Sequence, residues 1–492
     1  MKKKTVKLLA LCMAMVISVG CFAGCKKSST VSEISYWEEV PGVPDASGDV
    51  SGSSGTDNSG GGSSAGASGD KVSSGQQSTA GNVKVYKENG IEFLVDPKKY
   101  RGTTVTYCTW RDPEQNEDGT AIKAFEKKYG IKVEIQMIEE GKYVSTIASR
   151  IAAGTQGDVF FQQGNFPASL SVLQPLDLAK INFNDPIWKQ ETIEAGTIDG
   201  HKYIVNTVSN VWDETDIILY NKTLFEENGI TTPTEYYEAG NWTFETFEKA
   251  CRDICALGKS YCGAQVRGET MCSAAGTSIY TFANNKITMT ADQRFYDVMQ
   301  YLSRLKSEKL IDHGNNADFP NGKCGMEVVD LFALKRSGHF PTMNGDDLAA
   351  TYLPRWDKNS PQVGSSTLRG WGLIKGAKNP EAAGIFLREY LDVNNYDLDE
   401  TFHSKELADF FFQATSKKFD IVLFNNDQGV MYANGINDTA VIAGDVTAAW
   451  NHHSPDQIKA YLDSQMPVLK NYAATADKVV QDARKYLKDN FG

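Results

Sequence analysis

Four places in the sequence set an aromatic ring beside planar polar side chains: Trp110 with Arg111, Phe166 with Gln162 and Gln163, Trp212 with Asn210 and Asp213, and Trp371 with Arg369. Rings stack on apolar C–H faces, while amide, carboxylate and guanidinium planes satisfy polar groups in pairs. Together they can hold a ligand with both apolar faces and polar edges. Catalytic signatures are weak beside them. There is no H-E-x-x-H and no phosphate loop, and the six histidines are scattered. Gly62-Ser63-Ser64-Ala65-Gly66 matches a nucleophile elbow, but it lacks the strand and helix that motif requires. The many acids leave open a hydrolase built on two carboxylates.

The elements that position these residues follow from periodicity. Strands are expected over 103–110 and 158–161. In the segment 131–137, Ile131, Val133, Ile135 and Met137 alternate with polar residues, which reads as a strand with one wet face. Helices over 121–129 and 142–153 end at Gly130 and Gly154. This βαβ rhythm predicts an α/β fold with a parallel sheet, whose ligands gather beyond the carboxyl ends of the strands. Trp110 and Arg111 lie just past one such end, and Gln162, Gln163 and Phe166 past another. The stretch 199–229 holds two extended runs, 203–208 and 216–221, on either side of the segment carrying Asn210, Trp212 and Asp213. Ile217 to Tyr220 are too continuously apolar for a half-wet strand. We read this strand-bend-strand as a place where the chain passes from one lobe to another.

Lys2, Lys3, Lys4 and Lys7 precede a short apolar run, the layout of a secretory signal. Phe22-Ala23-Gly24-Cys25 then resembles a bacterial lipobox, which would make Cys25 the lipidated first residue of the mature chain. Residues 25–82 are dominated by Gly and Ser and read as a disordered tether, spanning roughly 40 Å as a random coil. The formal charge is −12, and with no basic block it argues against a nucleic-acid partner. Six of the nine cysteines lie in the remaining body. Cys251 and Cys255 read as core thiols, with no metal and no cofactor expected. An extracellular location would permit disulfides, whose pairing the sequence leaves open.

Eight segments, in order AFEKKYGIKVEIQMI, ASRIAAGTQGDVFFQQ, LQPLDL, DGHKYIV, IILYNKTLFEENGI, NWTFETFEKACRDI, FPNGKCGM and RGWGLIKGAKNPEAAGIFLREYL, resemble the landmarks of family 1 extracellular solute-binding proteins. These are lipid-anchored receptors of ABC sugar importers, similar to maltose-binding protein. The resemblance implies a periplasmic-binding-protein-like fold, two α/β lobes joined by a multi-strand hinge. The expected lobes are 83–212 with 368–427, and 213–367 with 428–492, with a last crossing near 424–431. It further implies a monomer on the outer face of the bacterial cytoplasmic membrane that closes on a mono- or oligosaccharide and delivers it to ABC permease subunits, without catalysis. A secreted carbohydrate-active hydrolase and a glycan-sensing or adhesion protein on the same fold are the alternatives. Trp110, Arg111, Gln162, Gln163, Phe166, Asn210, Trp212, Asp213, Arg369 and Trp371 would line the cleft, and losing the Trp371 ring would weaken binding at little cost in stability. Trp356 and Trp450 are further candidate platforms, Trp242 is read as packing, and Met343, Asn344, Asp346 and Asp347 as a solvated loop, with a place in the same cleft as the alternative.

Overall fold

The computed structural model describes residues 84–491, apart from 89, 111–117, 140–141, 209–214, 314–318, 336–344, 394–401, 403 and 437–445; for Asp118, His313, Phe332, Lys335, Asp346, Asp392 and Val393 it describes the backbone only. The expected signal, the lipidation site Cys25 and the tether therefore lie outside the described residues. Residues from Thr79 onward form one compact unit.

Two five-stranded sheets organise that unit. In chain order their strands and the crossing strands are β1 Thr104–Thr109, β2 Lys132–Met137, β3 Val159–Gln163, β4 Leu173–Gln174, β5 Asp216–Asn221, β6 Cys262–Val266, β7 Ile311–His313, β8 Cys324–Asp330, β9 Leu348–Tyr352, β10 Val363–Thr367, β11 Arg369–Ile374 and β12 Ile421–Asn425. The first sheet has the order β2-β1-β3-β11-β4 and the second β7-β6-β8-β5-β9. Both follow one plan. Three parallel strands are joined by an antiparallel fourth, β11 or β5, which pairs antiparallel with a fifth. The apolar run of β5 is buried on both faces, as its sequence requires. β2 is an edge strand, and Met137 at its end is 47% exposed although alternation assigns it to the covered face.

The helices that cover the sheets are α1 Asp118–Tyr129, α2 Tyr143–Ala153, α3 Phe244–Ala256, α4 Gly268–Ala274, α5 Gln293–Ser307, α6 Pro380–Val393, α7 Lys405–Thr415, α8 Asp427–Ala433 and α9 Pro455–Phe491. Their ends obey local chemistry. Gly154 closes α2 at φ 71°, and Thr243 opens α3 with a reciprocal capping box to Thr246. Asp292 caps α5, its carboxylate accepting from the Phe295 N–H at 3.1 Å.

The antiparallel strand of each sheet is the one the chain enters straight after changing sheets. Backbone bridges Val205↔Trp371 and Thr215↔Ser366 lay the outgoing and returning segments side by side. A strand antiparallel to its neighbours begins where they end, so the carboxyl ends of the parallel strands in both sheets point toward the crossings. Leu407, Phe411 and Ala414 of α7 pack with Ile217, Leu219 and Tyr352 of the second sheet. α7, within the expected segment 368–427, therefore packs on the second sheet. α9 also departs from the assignment of 428–492 to the second lobe. It meets α5 through Asp463 and Tyr296, and reaches the first sheet's side where Arg484 pairs with Asp199 at 2.7 Å.

β12 runs parallel to β10 and leads into α8, whose Gly429 lies against the backbone of Phe166. A Cβ at Gly429 would sit 1.6 Å from the Phe166 carbonyl oxygen. Gly429→Ala is accordingly expected to destabilise the fold by about 1–3 kcal/mol or more through overpacking, read as a lower denaturant midpoint.

Candidate functional site

The strand ends that face the crossings carry a polar set. At the entry to β5, Asp216 accepts from Arg267 Nη2 at 2.7 Å, Ser365 Oγ at 2.8 Å and Thr270 Oγ1 at 3.0 Å. Arg267 follows β6, Thr270 lies in α4 and Ser365 in β10, so one carboxylate ties four elements at the crossing. Burial pushes the Asp216 carboxyl above its usual range; Arg267 opposes the shift, and Asp330 at the end of β8 adds to it.

Two further acids are closed off nearby. Glu327, on β8 in register with Gln265, is 3% exposed. Burial lifts its pKa to about 7, with Arg267 opposing and Asp330 reinforcing. Asp427 opens α8 and is 5% exposed. Burial and then the Glu269 carboxylate raise it to about 7, against a hydrogen bond from the Tyr280 N–H. Among the described residues no group of three or more His, Cys, Asp or Glu is arranged to hold a metal ion.

Of the residues expected to line the cleft, the described part brings three together at the ends of first-sheet strands. Trp110 directly follows β1 and is half-buried; Gln163 ends β3 and Arg369 begins β11 as register partners, each half-buried. Arg111, Asn210, Trp212 and Asp213 lie outside the described residues.

Three others serve the interior. Trp371 is 4% exposed, and its Nε1 donates to the Tyr107 hydroxyl at 3.2 Å, with the Phe161 ring at 4.5 Å. Phe166 is 1% exposed and meets Phe282 edge-on at 5.1 Å. Gln162 is wholly buried; its amide donates to the Leu368 carbonyl and accepts from the Phe166 N–H at 3.1 Å, joining the end of β3 to the return crossing. Trp450 is likewise core, at 1% exposure. Trp242 donates to the Tyr352 carbonyl at 2.8 Å, as packing requires. Trp356 is half-buried, with the Arg294 guanidinium 4.8 Å over its face. Asp347 accepts from Thr223 at 2.8 Å and precedes β9, at the end of the second sheet remote from the crossings. Met343 and Asn344 lie outside the described residues.

Asp216, Arg267, Glu327 and Asp427 were not singled out by sequence. A signal existed for two of them. Asp216 opens the run Ile217 to Tyr220 and Glu327 interrupts Met326 to Val329, each an acid set in an apolar strand.

With this geometry in view, comparisons with known proteins are decisive at the level of family. The profile of the bacterial extracellular solute-binding proteins matches residues 116–392. The chain belongs to this family. Similar solved structures include the sugar-binding protein MalE from the phytopathogen Xanthomonas citri, at 15% identity and TM-score 0.56, covering 79% of this chain and 100% of that one. The galacto-N-biose/lacto-N-biose I-binding protein of the ABC transporter from Bifidobacterium longum, in complex with lacto-N-biose, has 14% identity and TM-score 0.56, covering 75% and 98%. An ABC substrate-binding protein from Listeria monocytogenes, in complex with cycloalternan, has 18% identity and TM-score 0.52, covering 77% and 99%. At these identities the likeness is one of fold: the chain is periplasmic-binding-protein-like. The family and these neighbours are binding proteins. No curated protein matches the chain in sequence.

Two outcomes follow from the burial pattern. Trp371→Ala should lower stability by about 3–5 kcal/mol, the cost of emptying a core ring site, read by denaturant unfolding. The folded-state pKa of Glu327 lies above the unfolded one, so folding retains a proton. Its penalty is absent below about pH 4.5 and complete above about pH 7. Glu327→Gln should therefore raise the melting temperature at pH 8, leave it nearly unchanged at pH 4.5, and flatten the decline between them.

Proposed function

We propose that this chain is a lipid-anchored receptor that captures a carbohydrate, an oligosaccharide, in the cleft between its two lobes and hands it to an ABC permease. The observation that carries this reading is the shared plan of the two sheets. Each is entered at a crossing, so the ligand-facing strand ends of both converge on one place, the usual location of ligands on open α/β sheets. The chemistry at hand supports a sugar. Trp110 offers a ring for a pyranose face, and Gln163 and Arg369 offer paired donors and acceptors for hydroxyls. Arg111, Asn210, Trp212 and Asp213 extend the same mixture by their positions in the chain. The neighbours solved with lacto-N-biose and cycloalternan point to the same ligand class.

Binding rather than catalysis is the activity. Of the acids at the crossing, Asp216 is held by three donors, and Glu327 and Asp427 are closed off from solvent. Capture works by population shift: a ligand that touches both lobes only when they are close favours that arrangement. Cys25 would carry the lipid, and residues 25–82 would let the receptor reach a permease while held at the outer membrane face.

Thermal-shift screening followed by calorimetry on a panel of mono- and oligosaccharides, uronates and peptides checks this reading. An oligosaccharide should raise the melting temperature and be recovered intact after prolonged incubation. A hit confined to peptides would overturn the ligand class, and cleavage of the hit would overturn the receptor reading.

A further inference from the structure

Cys251, Cys255, Cys262 and Cys324 gather where β6 and β8 begin. Cys262 opens β6, Cys324 opens β8, and the two are register partners in a parallel pair. Such partners project from one face of a sheet whose strands lie about 4.8 Å apart, within the roughly 4.4–6.8 Å that separates the Cα atoms of a disulfide. The two side chains also adopt the same disposition. The Cys262 thiol lies 3.3 Å from the Ala264 carbonyl oxygen and the Cys324 thiol 3.2 Å from that of Met326, each two residues ahead on its own strand. The sulfurs thus run side by side.

Alternation along the strands selects this pair over the others. Gly263 and Gly325, the next residues on each strand, face α3. A Cβ on Gly263 would lie 2.5 Å from Cys251 Cα, and one on Gly325 2.8 Å from Ile254 Cγ1. Cys262 and Cys324 therefore point to the opposite face, and the sheet separates them from Cys251. Cys255 sits at the margin, its thiol directed to the Lys309 and Leu310 carbonyls. Access is asymmetric: Cys262 is half-buried, Cys324 buried.

We propose that Cys262 and Cys324 close a disulfide once the chain is outside the cell, stapling β6 to β8 at the end of the second sheet remote from the crossings. The setting rests on the extracellular reading above; the chemistry does not. The half-buried Cys262, as thiolate, attacks a low-molecular-weight disulfide and one small thiolate leaves. The Cys324 thiolate then attacks the Cys262 sulfur, the protein S–S bond forms and the second small thiolate leaves. The two protein thiol protons pass to solvent and the released thiolates, and the small disulfide takes up the two electrons. Burial holds the Cys324 thiol well above its ordinary pKa, so ring closure quickens as pH rises. The bond would constrain a long loop of the unfolded chain while leaving the strand ends at the cleft untouched.

The test is oxidation of the purified full chain with glutathione disulfide, followed by alkylation and non-reducing peptide mapping. The expected result is one linked pair of peptides carrying Cys262 and Cys324, and a melting temperature higher by about 3–8 °C. Cys262→Ser should abolish both effects, and Cys255→Ser should preserve them. Recovery of Cys262 and Cys324 in alkylated form after oxidation, or linkage of Cys262 to Cys255 or Cys251, would overturn the proposal. The readout needs no ligand, so failure of the carbohydrate screen leaves it standing, and the reverse holds.

Discussion

The fold turns on the carboxylate of Asp216, at the first residue of the strand the chain enters on changing sheets. It accepts from Arg267, Thr270 and Ser365, which come from a strand end, a helix and the returning crossing strand. A hydrogen bond to a charged group contributes roughly 1.5–3 kcal/mol, and one acceptor here collects three. The contact also sets register. With Asp216 fixed, Ile217 and Leu219 face the cluster shared with α7, while Ile218 and Tyr220 face the cluster that includes α3. A slip of one residue would exchange the two sets and present each face with the wrong partners.

Each sheet is covered by its own helices, α7 belonging to the second. α9 is the exception, touching α5 through Asp463 and the first sheet's side through Arg484 and Tyr486, whose ring lies 5.4 Å from the Lys375 ammonium. Any rotation at the crossing strands has to be accommodated along this helix. The exposed ion pair Asp199–Arg484 is the kind of contact that can exchange for water at little cost.

Much of this was legible in the sequence. Eight landmarks in order identified the family's plan, the continuous apolar run of β5 marked a buried strand, and glycines marked helix ends. Where the structure buries a residue expected in the cleft, the reason is physical. Trp371 stands between two glycines and looks presented to solvent. The glycines instead let β11 approach Ile204 and Tyr203 so closely that a Cβ at Gly370 would lie 2.5 Å from the Ile204 side chain, and the ring fills the far face. Gln162 looks like a ligand group because it is polar at a strand end, yet its whole amide is spent on backbone groups of Leu368 and Phe166. Half-buried Trp110, Gln163 and Arg369 remain the parts of the expected site that this structure sets at the strand ends.

The central claim, that ligand draws the two lobes together by rotation at the crossing strands, is tested most directly by a distance. Probes attached through non-cysteine chemistry at exposed Lys127 of α1 and Glu245 of α3 would report the separation of the helices covering the two sheets. The account predicts a shorter and narrower distance distribution when a saturating oligosaccharide is bound. An unchanged distribution in the presence of a ligand whose binding is established by calorimetry would contradict it.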